Sequence, residues 1–384
     1  MATRGRRIAL ASLTAAALLA VAVPAAGAHT TRPDGPRLQA ILDRAVRAPG
    51  ATFPGVALQV RRPGHATWSG AAGTANVDTG RRLRSTDRFR AGSIMKPFVA
   101  AATLQLVEEG KLALDDPLPA VLPARVLARF PEADRITVRM LLNHTSGIGE
   151  YTDAAFDQEV LADPRRRWAV SELLDRAAAM PRAGAPGERH AYSNANYNLL
   201  GLILEQATGK PWRTVIRERV IERLHLRHTS LPAPGTLPSG ADIAHGYELV
   251  DGRLVDVTDI DSSMAGAGAG NALLTNAQDL MRFLRGLLAG RLFQHQQTVQ
   301  EMRTFVAATD SDGLTGYGLG LERYEFPGGV EVIGHIGTAG GYRALMFSLP
   351  AQHIELTMVL NQPGDPTPVL IGALELLLGS HPAG

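Results

Sequence analysis

The 384-residue chain contains no cysteine, few lysines and little net charge. The absence of cysteine excludes disulfides and any metal or redox site that needs a thiol ligand. A formal net charge of +2 gives no reason to expect a nucleic-acid partner. Lys96, Lys111 and Lys210 are the only lysines, because the chain otherwise uses arginine for positive charge. Arginine cannot give up its proton in catalysis, whereas lysine can, so a lysine inside a motif carries weight.

Two common catalytic motifs are also missing. The sequence has neither the Gly-x-Ser-x-Gly motif of one class of hydrolases nor the His-Glu-x-x-His motif of zinc peptidases. Its histidines are scattered and lack the spacing of metal ligands. We therefore expect no metal and no cofactor. The length allows one large core or two packed subdomains.

The N-terminus has the pattern of a secretory signal. Arg4, Arg6 and Arg7 precede an apolar stretch over residues 8–23, and Ala26-Gly27-Ala28 offers a cleavage site of small residues. A membrane anchor is the alternative, because the stretch is near the lower length limit for a span. The adjacent arginines leave a twin-arginine export route open beside the general one. We expect a signal peptide at 1–28 and a secreted, extracytoplasmic protein without stable membrane insertion.

The stretch Arg90–Phe98 places small residues before Ser93, with Lys96 three positions later, at the start of a largely apolar run. If this run is a helix, the spacing puts both side chains on one face. The first turn of a helix also favours a nearby oxyanion. A hydroxyl beside an amine is a workable nucleophile and base. The alternative is that Ser93 only caps the helix and Lys96 is solvated.

A second stretch, Tyr192-Ser193-Asn194, is predicted to lie in a loop before a helix over 198–208. A phenol with a suitable pKa can carry a proton between a serine, a leaving group and water. The amide of Asn194 can hold a substrate carbonyl or orient Lys96. The alternative is a helix-entry loop in which Ser193 or Asn194 caps the helix and Tyr192 packs.

A third stretch, Gly334 to Thr338, is predicted to end a strand over 330–334. Its glycines allow a substrate backbone to approach the strand closely. The N–H of Thr338 could then join that of Ser93 in an oxyanion hole. The alternative is an ordinary edge strand with a glycine-rich end. Each stretch is a weak signal alone, but the three occur together and in order.

Predicted strands lie near both ends of the chain, with helices between them. We therefore expect an α/β (α+β) fold in which both ends complete one antiparallel sheet around a large, mostly helical insertion. The expected subdomains are a sheet unit of 36–92 with 300–384 and a helical unit of 93–299. The Gly266–Gly270 stretch is interpreted as flexible or closely approaching backbone. The main strands are predicted at 55–61, 66–72, 316–322, 330–334, 344–349 and 354–360.

Taken together, the motifs resemble the serine β-lactamase and penicillin-binding superfamily, on the branch of class C β-lactamases, DD-peptidases and related esterases. That family joins Ser-x-x-Lys to two companion triplets, which in this branch are Tyr-x-Asn and His-x-Gly or Lys-x-Gly. The likeness covers nearly all of the mature chain, is closest to secreted D-alanyl-D-alanine carboxypeptidases, and implies a β-lactamase/transpeptidase-like fold. The matching stretches are Thr86–Ser93, Leu104–Leu112, Ile136–Gly147, Tyr192–Gly201 and Gly316–Leu321.

The resemblance implies catalytic roles for three residues. Ser93 would attack the carbonyl and form an acyl-enzyme. Lys96 and Tyr192 would share the proton transfers, and which of them is the base stays open. The sequence His144 to Gly147, despite its histidine and serine, resembles a structural turn in this family.

The resemblance also implies the residues that hold the substrate. Asn194 would bind the substrate amide, and His335 and Gly337 would line the strand side of the site. The N–H of Thr338, with that of Ser93, would hold the oxyanion.

Two residues depart from the carboxypeptidase pattern. A hydroxyl residue often stands in the middle of the third triplet, where it helps to hold the terminal carboxylate, but Ile336 is apolar. An arginine follows the Gly-Tyr-Gly-Leu-Gly-Leu stretch in the secreted carboxypeptidase, but Glu322 stands here, with Arg323 next. Arg323 or Arg343 is a candidate replacement. If neither replaces it, an esterase or another amidase is favoured.

These observations predict an exported serine hydrolase that acts through an acyl-serine intermediate. The first expected substrate is a peptidoglycan stem peptide ending in D-Ala-D-Ala. A β-lactamase, an esterase and a D-amino-acid peptidase of the same fold are the alternatives. A penicillin-binding sensor domain is the alternative from another class. The expected partners are a small peptide or β-lactam and peptidoglycan, with no nucleic acid, and we expect a monomer.

Overall fold

The structure is a computed structural model that describes residues 34–379 except 49, 52, 267–271, 310, 312, 327 and 363. The predicted signal peptide at 1–28 lies outside the described residues, as does most of the Gly266–Gly270 stretch, so both stay predictions. In the part of the chain that is described, no helix has the length and apolar character needed to cross a membrane.

Strands from both ends of the chain build the central sheet. The strands are β1 (Gly55–Arg61), β2 (Trp68–Asn76), β3 (Arg81–Arg82), β4 (Phe89–Arg90), β5 (Tyr247–Val250), β6 (Arg253–Asp256), β7 (Leu274–Thr275), β8 (Leu314–Tyr317), β9 (Glu322–Phe326), β10 (Val330–Ala339), β11 (Tyr342–Leu349) and β12 (Ile354–Leu360). Among the described residues, eight of them form one antiparallel sheet in the order β3-β2-β1-β12-β11-β10-β9-β8. The pairing of β1 with β12 joins the two ends of the chain. The predicted sheet is therefore confirmed.

Helices cover both faces of this sheet and fill the middle of the chain. They are α1 (Asp34–Arg47), α2 (Met95–Glu108), α3 (Leu118–Val121), α4 (Ala124–Leu127), α5 (Val138–Leu142), α6 (Ala154–Ala162), α7 (Val170–Ala179), α8 (Asn194–Thr208), α9 (Trp212–Ile216), α10 (Ala277–Leu288), α11 (Gln296–Met302) and α12 (Thr367–Leu378). A 3-10 turn over Gly92–Ile94 leads directly into α2. The predicted division into subdomains stays a prediction.

Apolar residues on opposite faces of the strands form two cores. Leu356 and Met358 of β12 join α1 and α12 in one core, whereas Val359 joins α2 and α10 in the other. This alternation follows from the two-residue repeat of a strand. Nearly all of α2 is buried, which explains why its sequence is apolar around its whole circumference. Pro97 fits its first turn because early N–H groups lack helical partners.

Three predicted boundaries near the site were wrong. The predicted strand over 316–322 is two strands separated by a turn, in which the Gly318 N–H donates to the Leu321 carbonyl. The strand predicted to end at Gly334 continues to Ala339, because its pairing with β11 runs through both glycines of the motif. The helix predicted from residue 198 begins at Asn194, since a carboxylate distant in sequence supplies its N-terminal acceptor.

Candidate active site

Ser93 lies where the 3-10 turn packs directly against strand β10. Gly92 has φ +56°, and a Cβ built on it would lie 2.5 Å from the Thr338 N. A Cβ built on Gly337 would lie 1.9 Å from the Ala91 O and 2.9 Å from the Ser93 N. Any larger residue at either glycine would collide with backbone atoms. The two glycines therefore bring the backbones of Ser93 and Thr338 together.

The direction of the Thr338 N–H follows from the strand geometry. The Ile336 N–H donates to Glu322 Oε2 at 2.7 Å, on the side of β10 that faces β9. Backbone N–H groups alternate in direction along a strand, so the N–H of Thr338 points to the same side. The pairing of β9 with β10 ends at Gly334 opposite Glu322. The Thr338 N–H thus lies at an edge beside Ser93, where the two N–H groups could hold an oxyanion.

Two side chains donate hydrogen bonds to the hydroxyl of Ser93. Lys96 Nζ lies 3.0 Å from Ser93 Oγ, and the Tyr192 hydroxyl lies 2.7 Å from it. Lys96 Nζ also donates to Asn194 Oδ1 at 2.7 Å. The structure therefore brings all four predicted residues together. A nucleophile with two proton-carrying groups within hydrogen-bond distance can perform acyl transfer.

Lys96 is fully buried, and burial favours the neutral form of its amine. Burial lowers the pKa of its ammonium group to about 7, although the negative charges of Glu150 and Glu322 act in the opposite direction. Its Nζ also lies 4.6 Å from the centre of the Tyr192 ring. A substantial fraction of Lys96 is therefore neutral near neutral pH, and a neutral amine can accept the proton of Ser93.

Tyr192 has the opposite electrostatic behaviour. Burial raises the pKa of its phenol well above the usual value, and the hydrogen bond to Ser93 offsets only part of that rise. The phenol thus stays protonated near neutral pH and donates to Ser93. Of the two groups, Lys96 is the one that can change its charge at neutral pH, and Tyr192 is equipped to deliver a proton.

His144 holds the loop that carries Tyr192. The rings of the two residues stack with their centres 4.4 Å apart. His144 Nδ1 accepts the Ser193 N–H at 3.2 Å and lies 3.0 Å from Asn196 Nδ2. Burial lowers the pKa of His144 far below its usual value, so the ring is neutral. These contacts give His144 a positioning role beneath Tyr192.

Asn194 is fixed by two residues that the sequence analysis missed. Glu150 Oε2 accepts the Asn194 N–H at 2.7 Å, and Glu150 Oε1 accepts from the N–H and hydroxyl of Thr152. Asn194 Nδ2 donates to Thr152 Oγ1 at 3.3 Å. The Asn194 oxygen contacts Lys96, as the second of the two suggested roles requires, and its role in substrate binding stays a prediction. No local sequence signal links Glu150 to a helix that begins 44 positions later.

His335 lies on the strand side of the site and is fully buried. Its Nε2 lies 2.9 Å from the Tyr317 hydroxyl, and its Nδ1 lies 2.6 Å from the Ile336 carbonyl oxygen. Burial and the nearby Lys96 lower the pKa of His335 to about 3. The imidazole is therefore neutral at ordinary pH and supplies no positive charge. The sequence analysis did not single out Tyr317.

The candidate replacements for a carboxylate-binding residue have other partners. Arg323 donates from Nε to Thr315 Oγ1 at 3.2 Å. Arg343 donates from Nη1 to the Gly364 carbonyl at 3.1 Å. Ile336 packs against the core formed by α1 and α12, and Arg343 shares that face of the sheet because its register neighbour Leu345 lies opposite Ile336. Both guanidinium groups thus donate a hydrogen bond within the protein.

Among the described residues, no group of three or more His, Asp or Glu side chains is arranged to hold a metal ion. The chemistry described above uses only a hydroxyl, an amine, a phenol and backbone N–H groups.

Comparisons with known proteins show which family the chain resembles. A family model described as Beta-lactamase matches residues 42–379. Penicillin-binding protein 4 of Amycolatopsis lactamdurans is 30% identical over 76% of this chain and 76% of its own length. Esterase EstB of Burkholderia gladioli is 29% identical over 74% of this chain and 78% of its own length. A D-stereospecific amidohydrolase from a Streptomyces species superposes with a TM-score of 0.79 and 33% identity, covering 91% of this chain and 100% of that structure.

Proposed function

Since the chain belongs to the beta-lactamase family and is a serine hydrolase, we propose that it cleaves amides of D-amino acids through an acyl intermediate on Ser93. One observation carries this proposal. The Ser93 hydroxyl accepts hydrogen bonds from both Lys96 and Tyr192, beside the edge N–H of Thr338. The base and the proton donor therefore both contact the nucleophile, next to the N–H groups of the oxyanion site.

The proposed acylation begins with neutral Lys96. Its amine takes the proton of Ser93 as Oγ attacks the carbonyl carbon, and the N–H groups of Ser93 and Thr338 stabilise the oxyanion. The phenol of Tyr192 then protonates the departing nitrogen, and the proton that Lys96 took from Ser93 passes to the Tyr192 oxygen, since both groups lie beside Ser93 Oγ. Water later attacks the ester on Ser93 along the same proton path in reverse.

The choice of D-amino-acid amides has two supports. The Streptomyces protein is described as D-stereospecific and as an amidohydrolase, and it shares 33% identity with this chain. In addition, the His335-Ile336 pair supplies no positive charge on the strand side of the site, because burial lowers the pKa of His335 to about 3 and Ile336 is apolar. A substrate with an uncharged amide fits such a surface without a counter-ion.

A D-alanyl-D-alanine carboxypeptidase is the second candidate, as the motifs predict. The similarity to penicillin-binding protein 4 favours it. Its substrate carries a terminal carboxylate, however, and the guanidinium groups of Arg323 and Arg343 already donate to Thr315 Oγ1 and to the Gly364 carbonyl. An esterase is supported by the similarity to Esterase EstB. Export belongs to the same proposal and rests on the N-terminal sequence alone.

A substrate panel with a covalent probe tests the proposal. A fluorophosphonate should label the wild-type protein and fail to label Ser93→Ala. The panel contains D- and L-phenylalanine amide, a D-Ala-D-Ala peptide, a short-chain ester and a cephalosporin. We expect at least about a tenfold higher kcat/KM for the D-amide than for the L-amide, equivalent to about 1.4 kcal/mol.

Other outcomes identify the alternatives. Turnover of the D-Ala-D-Ala peptide without the D-amide would favour the carboxypeptidase. Turnover of the ester or the cephalosporin alone would favour an esterase or a β-lactamase. Persistent acylation by penicillin with no turnover of any panel member would favour a sensor domain. Undiminished hydrolysis by Ser93→Ala would reject Ser93 as the nucleophile.

A further inference from the structure

The edge of β10 beside Ser93 is capped by side chains of the same chain. β9 pairs with β10 only as far as Gly334. At the next edge position, the Ile336 N–H donates to Glu322 Oε2 at 2.7 Å, and the Ile336 carbonyl oxygen lies 2.6 Å from His335 Nδ1. Both polar groups of Ile336 therefore have partners within the protein. The following edge position is Thr338, where the carbonyl of a substrate would bind.

Glu322 places a carboxylate at this edge. Its Oε2 also accepts a hydrogen bond from the Tyr324 hydroxyl at 2.7 Å, and its side chain is only 10% exposed. Its Oε1 lies 3.6 Å from His335 Nδ1, but the neutral imidazole of His335 does not cancel a negative charge. The charge of Glu322 is also felt by Lys96, since it raises the pKa of that amine. The carboxylate is thus electrostatically coupled to the catalytic centre.

The spacing of the strand gives the distance at which this charge acts. A strand rises about 3.4 Å per residue, so the N–H groups of Ile336 and Thr338 are roughly 7 Å apart. A substrate carbonyl at Thr338 that extends along the edge towards Ile336 brings its next substituents still closer to Glu322. Two negative charges at such a separation repel strongly in a partly buried site, where water screens them poorly.

We propose that Glu322 is a specificity-determining residue that excludes acyl donors carrying a carboxylate next to the leaving atom and admits neutral or cationic ones. The inference rests on the proposed acyl-Ser93 chemistry and assigns the charge class of its substrates. Glu322 does not touch the reacting atoms. It acts through the position of its charge on the strand edge, which its hydrogen bonds to Ile336 and Tyr324 fix.

A matched pair of peptides tests this role. The two substrates are an N-acetylated D-Ala-D-Ala peptide and the same peptide with its terminal carboxylate converted to an amide. The wild-type enzyme should show at least about a tenfold higher kcat/KM for the amidated peptide, and Glu322→Gln should reduce that preference about tenfold. Glutamine keeps an oxygen for the Ile336 N–H while removing the charge. Glu322→Asp keeps the charge and should retain a preference for the amidated peptide.

The ratio of the two kcat/KM values is insensitive to misfolded protein and to a changed pKa of Lys96, because both substrates meet the same enzyme sample. Glu355→Gln is the matched control, since Glu355 of β12 pairs with Arg61 of β1, and it should keep the wild-type ratio. An equal rate for both peptides in the wild type, or an unchanged ratio in Glu322→Gln, would overturn the inference while leaving acyl-Ser93 chemistry intact.

A second measurement applies if the fluorophosphonate labels Ser93 but the protein cleaves neither peptide. Inhibition by an arylboronic acid and by its carboxylated analogue is compared in the same variants, because boronates bind to a nucleophilic serine. If Glu322 selects by charge, the carboxylated compound should bind the wild type more weakly than the uncharged compound. Glu322→Gln should reduce this difference in binding about tenfold. Equal inhibition in both proteins contradicts it. If the fluorophosphonate fails to label Ser93 at all, the proposed function fails and this inference falls with it.

Discussion

Lys96 shows how burial converts an ordinary amine into a base. Its Nζ lies beside the Tyr192 ring and the amide of Asn194. Nearly all of α2, the helix that carries it, is buried. Removing an ammonium group from water favours its neutral form, which is why its pKa falls to about 7. The negative charges of Glu150 and Glu322 limit this fall of the pKa. The reactivity of Ser93 therefore also depends on Glu150 and Glu322, which act through the charge of Lys96.

The pH profile of the enzyme should report this balance. We expect kcat/KM to decline as the pH falls through about 7, because protonated Lys96 cannot accept the proton of Ser93. Glu150→Gln removes a charge that raises this pKa, so the acidic limb should move to lower pH. Rates with a neutral substrate measured across the pH range test this. Glu355→Gln should leave the acidic limb at the wild-type pH. If the limb does not move in Glu150→Gln, a group other than Lys96 sets the pH at which kcat/KM declines.

The hydroxyl of Tyr192 can be separated from its ring. Tyr192→Phe keeps the stacking on His144 but removes the group that donates to Ser93. We expect kcat to fall about 10²- to 10⁴-fold, the usual contribution of a general acid or base, with little change in the melting temperature. Tyr247→Phe removes a hydroxyl that accepts the distant Val77 N–H and serves as the control. Equal kcat values for the two variants would contradict the assigned role of Tyr192.

At the scale of elements, the third motif depends on how closely a turn approaches a strand. Gly337→Ala would put a Cβ 1.9 Å from the Ala91 carbonyl oxygen, so the turn and β10 must separate. We expect at least about a hundredfold loss of Ser93 labelling by the fluorophosphonate, because small displacements of catalytic groups have effects of that size.

The control for this variant is a glycine at which an added Cβ would meet no backbone atom. Gly372→Ala on α12 meets only side-chain atoms of Ile41, the nearest at 3.3 Å. It should keep wild-type labelling, and alanine favours the helix by about 0.5–1 kcal/mol. Labelling and melting temperature are measured for both variants. Normal labelling of Gly337→Ala would show that the close approach is not required.

Regular apolar patterns made much of the fold predictable. The strand ends at 55–61 and 354–360 agree with the structure. The family and the fold class are confirmed, since a family model matches residues 42–379. These features depend on local periodicity and on short motifs, both of which are visible in one sequence.

The features that escaped prediction depend on contacts between distant segments. The turn between β8 and β9 places Gly320 against Ala100 of α2, where a Cβ would lie 2.6 Å away. Glu150 caps α8 from a separate loop, and Glu322 caps the edge of β10 from the neighbouring strand. The residue types were visible, but only the fold determines what each of them touches.

At the scale of the whole molecule, the core between α1, α12 and the sheet stabilises the fold but contributes no catalytic side chain. Leu42 of α1 is completely buried there. Leu42→Ala should lower the free energy of unfolding by about 2–5 kcal/mol, the usual range for such a cavity, with kcat unchanged in the folded fraction. Denaturant unfolding and active-site titration measure the two quantities.

The control for this prediction lies on the same helix. Arg44 is exposed on α1, and Arg44→Ala should change the free energy of unfolding by no more than about 0.5 kcal/mol. If Leu42→Ala lowers kcat per folded molecule as strongly as it lowers stability, the two cores are coupled and the site depends on both.

The pairing of β1 with β12 also sets the order in which the molecule can assemble during synthesis. Val56 lies opposite Leu360, so β12 leaves the ribosome only after the long segment between the two strands has been made. Pairings this distant in sequence are slow to form, because long loops must close first. Until then, the apolar strands of the first segment stay exposed. A chain that must wait in this way needs protection from aggregation throughout its synthesis.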